Sequence, residues 1–145
     1  MLIQILTKTF SYTNKNSIIY PFFAFKKILN DENFSFKILF DKKQLVHSDF
    51  IIVDSKYHRE DWAKNQNKIY EDFKEIKNYT NKIIYFDTTD STGMVQAEIL
   101  DYVDVYWKSQ ILKNKVDYQK EFYGGRIFSE FYNSRFNIFD KSEIF

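Results

Sequence analysis

The chain has 145 residues, 21 basic against 20 acidic side chains, a net charge of +1, and 20% aromatic residues. Balanced charge argues against broad electrostatic capture of nucleic acid or of an anionic membrane. The absence of cysteine excludes disulfides, thiol catalysis and zinc–thiolate sites, and His47 and His58 alone do not make a histidine-rich metal site.

A domain of this size buries about 68–70% of the surface of its unfolded chain. Each fully buried large apolar side chain contributes roughly 1.5–3 kcal/mol. The 16 Phe and 11 Tyr therefore supply a core without staples, and a mean hydropathy of −0.48 wraps it in a polar surface. The opening apolar run is too short for a signal-peptide core and lacks a small-residue cleavage site. No stretch reaches the ~18 apolar residues of a spanning helix. The expectation is a cytoplasmic chain forming one domain over residues 1–145, with no transmembrane segment.

Short apolar runs alternate with longer amphipathic ones, which is the pattern of an α/β fold with a mainly parallel sheet. Leu2 to Leu6 reads as a buried first strand. After a polar loop, Asn16 or Ser17 can cap a helix that tolerates Pro21 in its first turn; it carries Ile18, Phe22, Phe25, Ile28 and Leu29 and ends near Asn30. Phe34 to Phe40 makes a second strand and Phe50 to Val53 a third, ending at Asp54. Arg59 to Tyr79 predicts the longest helix, because Trp62, Gln66, Ile69, Phe73 and Ile76 recur at spacings of three and four. Mixed charge and one apolar stripe mean packing on a sheet. Ile83 to Phe86 is a fourth strand, Met94 to Leu100 a short helix, and Val103 to Trp107 a fifth strand. From Ile111 onward the sequence is aromatic and reads as irregular. The whole is a Rossmann-like open sheet of about five strands flanked by helices.

Open parallel sheets bind ligands outside the carboxyl ends of their strands. Three polar clusters fall there: Asp54-Ser55-Lys56, Asp87 to Gly93, and Lys108-Ser109-Gln110. In the second, Asp87, Thr88, Thr89, Asp90, Ser91, Thr92 and Gly93 leave a strand and enter a helix. Free N–H groups at a helix start hold anions; the carboxylates favour a cation or sugar hydroxyls. Equally, Asp90 or Ser91 caps the helix and Gly93 makes the turn. Gly93, Gly124 and Gly125 are the only glycines, and such survivors mark backbone geometry that other residues disfavour. Arg126, flanked by Phe122, Tyr123 and Phe128, can present a guanidinium to a phosphate or carboxylate, or be the surface residue of a structural turn.

Several motifs are absent. There is no P-loop, no dinucleotide fingerprint and no G-x-S-x-G. Asp87 and Asp90 stand three apart on a late strand, unlike the D-x-D pair on the leading strand of haloacid-dehalogenase phosphatases. Asp54 and His58 are four apart, and one such pair is more often a hydrogen bond than a metal site. Asp54, Thr88 and Lys108 match the positions used by phosphorylatable receiver domains, but Thr7, Lys8 and Thr9 stand where the Mg²⁺-binding acidic pair belongs, leaving too few oxygen ligands. No metal and no cofactor is expected.

The stretch from Ile83 to Tyr132 resembles a bacterial glycosyltransferase-like family of surface polysaccharide synthesis. The resemblance lies in Tyr85-Phe86-Asp87-Thr88-Thr89-Asp90-Ser91-Thr92-Gly93, in Tyr102-Val103-Asp104-Val105-Tyr106-Trp107-Lys108-Ser109-Gln110 and in Phe122-Tyr123-Gly124-Gly125-Arg126; Thr7-Lys8 and the segment from Asn14 to Pro21 are similar more loosely. It implies a two-domain GT-B-like architecture in which the N-terminal half faces the acceptor and the C-terminal half holds the nucleotide-sugar donor. The chain is similar to the first half only. Transfer then requires a C-terminal domain or partner chain, and the ligand here is a sugar or glycan acceptor. Asp87, Asp90, Ser91, Thr92, Gly93, Lys108, Gly124, Gly125 and Arg126 would line the acceptor side, with Asp90 the first choice of base. The rival expectation is a non-catalytic α/β binding or interaction module. A transferase half leaves an apolar surface for its partner, and a self-sufficient module does not.

Overall fold

The structure, a computed structural model, describes residues 1–8, 16–89 and 93–139. Its centre is a sheet of five parallel strands, β1 (Leu2–Leu6), β2 (Ser35–Leu39), β3 (Phe50–Asp54), β4 (Ile83–Asp87) and β5 (Val105–Lys108), in the order β2-β1-β3-β4-β5. The chain runs outward from β1 to one edge, then returns past it to the other, so the strand order reverses between β1 and β3. That is the doubly wound order whose ligand crevice opens outside the carboxyl ends at the reversal.

The alternation of side chains across each strand builds two cores. One face carries Leu6, Ile51, Val53, Ile83 and Tyr85, packed against Ile69, Phe73 and Ile76 of α4 (Gln66–Ile76) and against Ile99. The opposite face carries Ile5, Ile52 and Ile84, with Ile3, Ile38, Phe50, Phe86 and Val105 around them and Phe22 of α1 (Asn16–Ala24) on top. Near-continuous Ile and Val in β3 and β4 is what a strand covered on both faces needs.

The strands fall within two residues of their expected places; the helices differ more. The first expected helix is two, α1 and α2 (Lys26–Asp31), broken at Phe25 (φ −103°, ψ 15°). Pro21 lies inside α1, beyond its first turn. The long helix expected over residues 59–79 is also two, α3 (Asp61–Lys64) and α4, separated by Asn65 at φ −160°, ψ 78°. Asn65 breaks the helix because its side chain accepts from the Lys68 N–H at 3.2 Å, capping a new helix in place of continuing the old one. Its stripe is otherwise as expected, with Ile69, Phe73 and Ile76 sealed in the core. The short helix expected from Met94 is a 3₁₀ turn at Ala97–Tyr102. The segment expected to be irregular contains α5 (Ile127–Phe136), whose weak amphipathicity hid it from periodicity. No described helix is long and apolar enough to cross a membrane.

Candidate functional site

The three polar clusters do meet at the carboxyl edge of the sheet. Asp54 ends β3, Asp87 ends β4 and Lys108 ends β5, and the register sets Asp87 directly opposite Lys108. Alternation sends Asp54 to one face of the sheet and Asp87 to the other, so each carboxylate anchors a separate cluster.

Asp54 is buried. Its Oδ2 accepts from Thr7 Oγ at 2.7 Å, and its Oδ1 from Thr88 Oγ at 2.9 Å and from the Lys56 N–H at 3.1 Å. Because Thr88 gives its only hydroxyl proton to Asp54, Ser55 donates the 3.1 Å bond between Ser55 Oγ and Thr88 Oγ, and it accepts in turn from the Thr88 N–H. The ends of β1, β3 and β4 are thereby tied into one knot.

Asp87 is 0% exposed. Its Oδ1 accepts from the Thr89 N–H at 2.9 Å and Thr89 Oγ at 2.6 Å. Its Oδ2 accepts from Tyr106 OH at 2.6 Å and Lys108 Nζ at 2.9 Å. Lys108, with a side chain 3% exposed, also donates to Thr89 Oγ at 3.1 Å. Tyr106 OH accepts from the Gln96 N–H, and Gln96 Oε1 accepts from Tyr85 OH. Burial pushes the Tyr106 hydroxyl well above its ordinary range, and its bond to Asp87 adds to this; burial does the same to Tyr85. Both phenols therefore stay neutral donors.

Every polar atom of Asp87 is consumed internally. Its chemistry is to hold the start of the loop after β4, together with Thr88 on the opposite face, and it has no lone pair turned outward for a ligand. Asp90, Ser91 and Thr92 lie outside the described residues. Gly93 stands near the start of α5: a methyl group placed on it would meet Ile127 Cγ1 at 3.9 Å. Gly93 does not adopt positive φ, whereas Gly124 (φ 62°) and Gly125 (φ 65°) do, the left-handed conformation that favours glycine. Arg126 follows them as the residue before α5, its guanidinium 5.5 Å from the centre of the Phe128 ring.

Lys108 is committed to Asp87, not to Asp54 as a receiver domain needs, and no cluster of three metal-ligating side chains occurs among the described residues. His58 turns away from Asp54. It is buried against α4, with Nε2 3.1 Å from Asp72 Oδ2, while Lys42 Nζ donates to Asp72 Oδ1 at 2.7 Å and to Glu75. Sequence reasoning missed Thr7, Tyr106 and Gln96 as parts of the edge. The available signal was a threonine and a tyrosine on apolar strands ending beside charged residues. Comparison with protein-family models, with curated proteins and with solved structures returned no match.

Proposed function

We propose that the chain is the acceptor-side half of a glycosyltransferase-like protein of surface polysaccharide synthesis, which works only when a donor-binding half completes it. The observation that carries this reading is a sheet face left open by the described residues. Parallel sheets are buried on both faces. Here the face bearing Ile84, Phe86, Val105 and Trp107 is packed by Phe22 of α1 at its β1 side, yet Trp107 is 47% exposed and Phe86 and Val105 are only partly covered. Phe86 and Trp107 meet edge to face at 6.1 Å. Ile111 and Val116, just beyond β5, are exposed as well. An exposed apolar shelf of this kind beside the carboxyl edge of the sheet marks an interaction surface, which supports a docking half.

The resemblance of the motifs at Tyr85–Gly93, Tyr102–Gln110 and Phe122–Arg126 supplies the reaction class. In this reading Asp90, Ser91 and Thr92 contact acceptor hydroxyls, with Asp90 as base. Asp87 and Lys108 fix the start of the loop after β4 without touching the sugar. NMR titration of the labelled chain tests it. Neutral mono- and oligosaccharides should shift the amides of Thr88, Thr89 and Gly93 at millimolar concentration, and uridine or guanosine diphosphate should not. Nucleotide binding at this loop, or no response to any saccharide, overturns the reading.

A further inference from the structure

We infer that the start of α5 and the groove beside it form a binding site for a single-chain phosphate amphiphile, a phosphate head on a hydrocarbon tail. Four observations converge there. First, α5 opens without a side-chain cap: Arg126 stands at the N-cap, and the first main-chain bond into the helix is Glu130 N–H to Arg126 O at 3.1 Å. The N–H groups of the first turn lie at the positive end of the helix dipole, where phosphate binds. Second, Ser129 in that turn is 4% exposed and its Oγ has no hydrogen-bond partner. Buried hydroxyls are paired in native proteins, and an orphan asks for a missing partner. Third, Nε of Arg126 is buried and also without a hydrogen-bond partner. Fourth, Ser129 belongs to the wall of a groove of about 420 Å³ whose other walls are Phe128, Tyr132, Ile138 and Phe139. That volume is in the range of small-ligand clefts, about 300–1,000 Å³, and its walls suit a hydrocarbon.

Gly124 leaves the space beside the buried Ser129 hydroxyl unfilled. A Cβ at Gly124 would stand 3.1 Å from Ser129 Cβ and 3.3 Å from its Oγ, so any larger residue there would fill the space over the hydroxyl. Glu130, the acidic residue of this turn, is held toward the preceding turn, where its Oε2 accepts from the Tyr123 N–H at 2.8 Å. The unpaired donors at the start of α5 adjoin an apolar wall made by Phe128 and Tyr132 of the helix and by Ile138 and Phe139 beyond it, which matches a ligand with both characters better than a free anion or a plain alkane. The site is built from α5 and the residues that flank it. Its meaning for the acceptor rests on the transferase reading: because Ile127 adjoins Gly93, a phosphate held there would bring an attached sugar to the loop after β4.

Calorimetric titration of the full chain with dodecyl phosphate below its micelle concentration tests the site, with inorganic phosphate, decyl maltoside and phosphatidylglycerol vesicles as parallel probes. Dodecyl phosphate should bind one to one, about tenfold or more tighter than inorganic phosphate or the neutral detergent, the scale of one charge-assisted hydrogen bond. Arg126→Gln and Ser129→Ala should each weaken it by a similar factor while leaving the circular dichroism unchanged. Equal binding of the neutral detergent, equal binding of free phosphate, binding to vesicles alone, or no binding overturns the inference. The readout is at α5, so it fails or succeeds separately from saccharide shifts at Thr88 and Thr89.

Discussion

Lys108 and Asp87 face each other with almost no solvent contact, and burial makes the pair's value depend on its being complete. Lys108→Met leaves a carboxylate in the interior with its cationic partner gone, which costs about 3–5 kcal/mol. Asp87→Asn combined with Lys108→Met removes both charges and should cost much less than the sum of the single changes. Urea unfolding of the four proteins measures this coupling. Asp72 makes a second test. Burial works against its charged form, but hydrogen bonds from His58 and Lys42 outweigh that and hold the carboxyl below its ordinary value. A carboxyl depressed in the folded state stabilises above its unfolded pKa, about 3.9, and this contribution is lost as pH falls through the lower folded value. Lys42 is raised by hydrogen bonds to Asp72 and Glu75; its contribution is full below about pH 10.4 and is lost in stronger base. The stability advantage of the native chain over Asp72→Asn should therefore shrink below about pH 4, read as converging urea midpoints. Asp87 and Lys108 were legible as edge residues because strands end at charged side chains. That they face each other was not legible, since register is a relation between strands and no single stretch carries it. Asp72 was hidden because it sits one position from Phe73 on the helical stripe, and only the neighbouring loop with Lys42 explains a carboxylate there.

At the scale of elements, the strands were plain because β3 and β4 are unbroken runs of β-branched and aromatic residues bounded by polar turns. Helix boundaries were obscure wherever a side chain competes with the backbone. Asn65 divides α3 from α4 by one such bond, and periodicity carries no trace of it. Asn65→Ala should cost about 1 kcal/mol through the lost cap, a change visible as a lower thermal midpoint. Phe73→Ala, on the sealed face of α4, should cost about 3–5 kcal/mol and mark the upper end of the same scale. α5 escaped notice for the opposite reason: its aromatic residues surround the helix, so no single stripe stands out. Phe128, Phe131, Tyr132 and Phe136 are all about half exposed, and the helix is bounded by the Gly124–Gly125 turn and by Asn137 in the left-handed region.

For the whole molecule, the open shelf at β5 makes a prediction with a built-in reporter. Trp62 packs against the core beside α4, whereas Trp107 lies on the shelf. In a Trp62→Phe background the remaining fluorescence should be quenched readily by acrylamide, and, in the transferase reading proposed above, docking of a completing half should remove most of that quenching. In the transferase reading, Trp107→Lys should abolish that docking while lowering the unfolding free energy by no more than about 0.5 kcal/mol, as for other exposed positions. The strand order has a further consequence for how the molecule breathes. β3 is flanked by β1 and β4, while β2 and β5 each have one neighbour. Amide protons along Ile51, Ile52 and Val53 are thus reached by solvent only when the whole sheet comes apart, whereas those of the outer strands escape through local opening. Deuterium uptake should therefore start at the two borders and reach the middle last, and the slowest of these protons give the free energy of global unfolding directly.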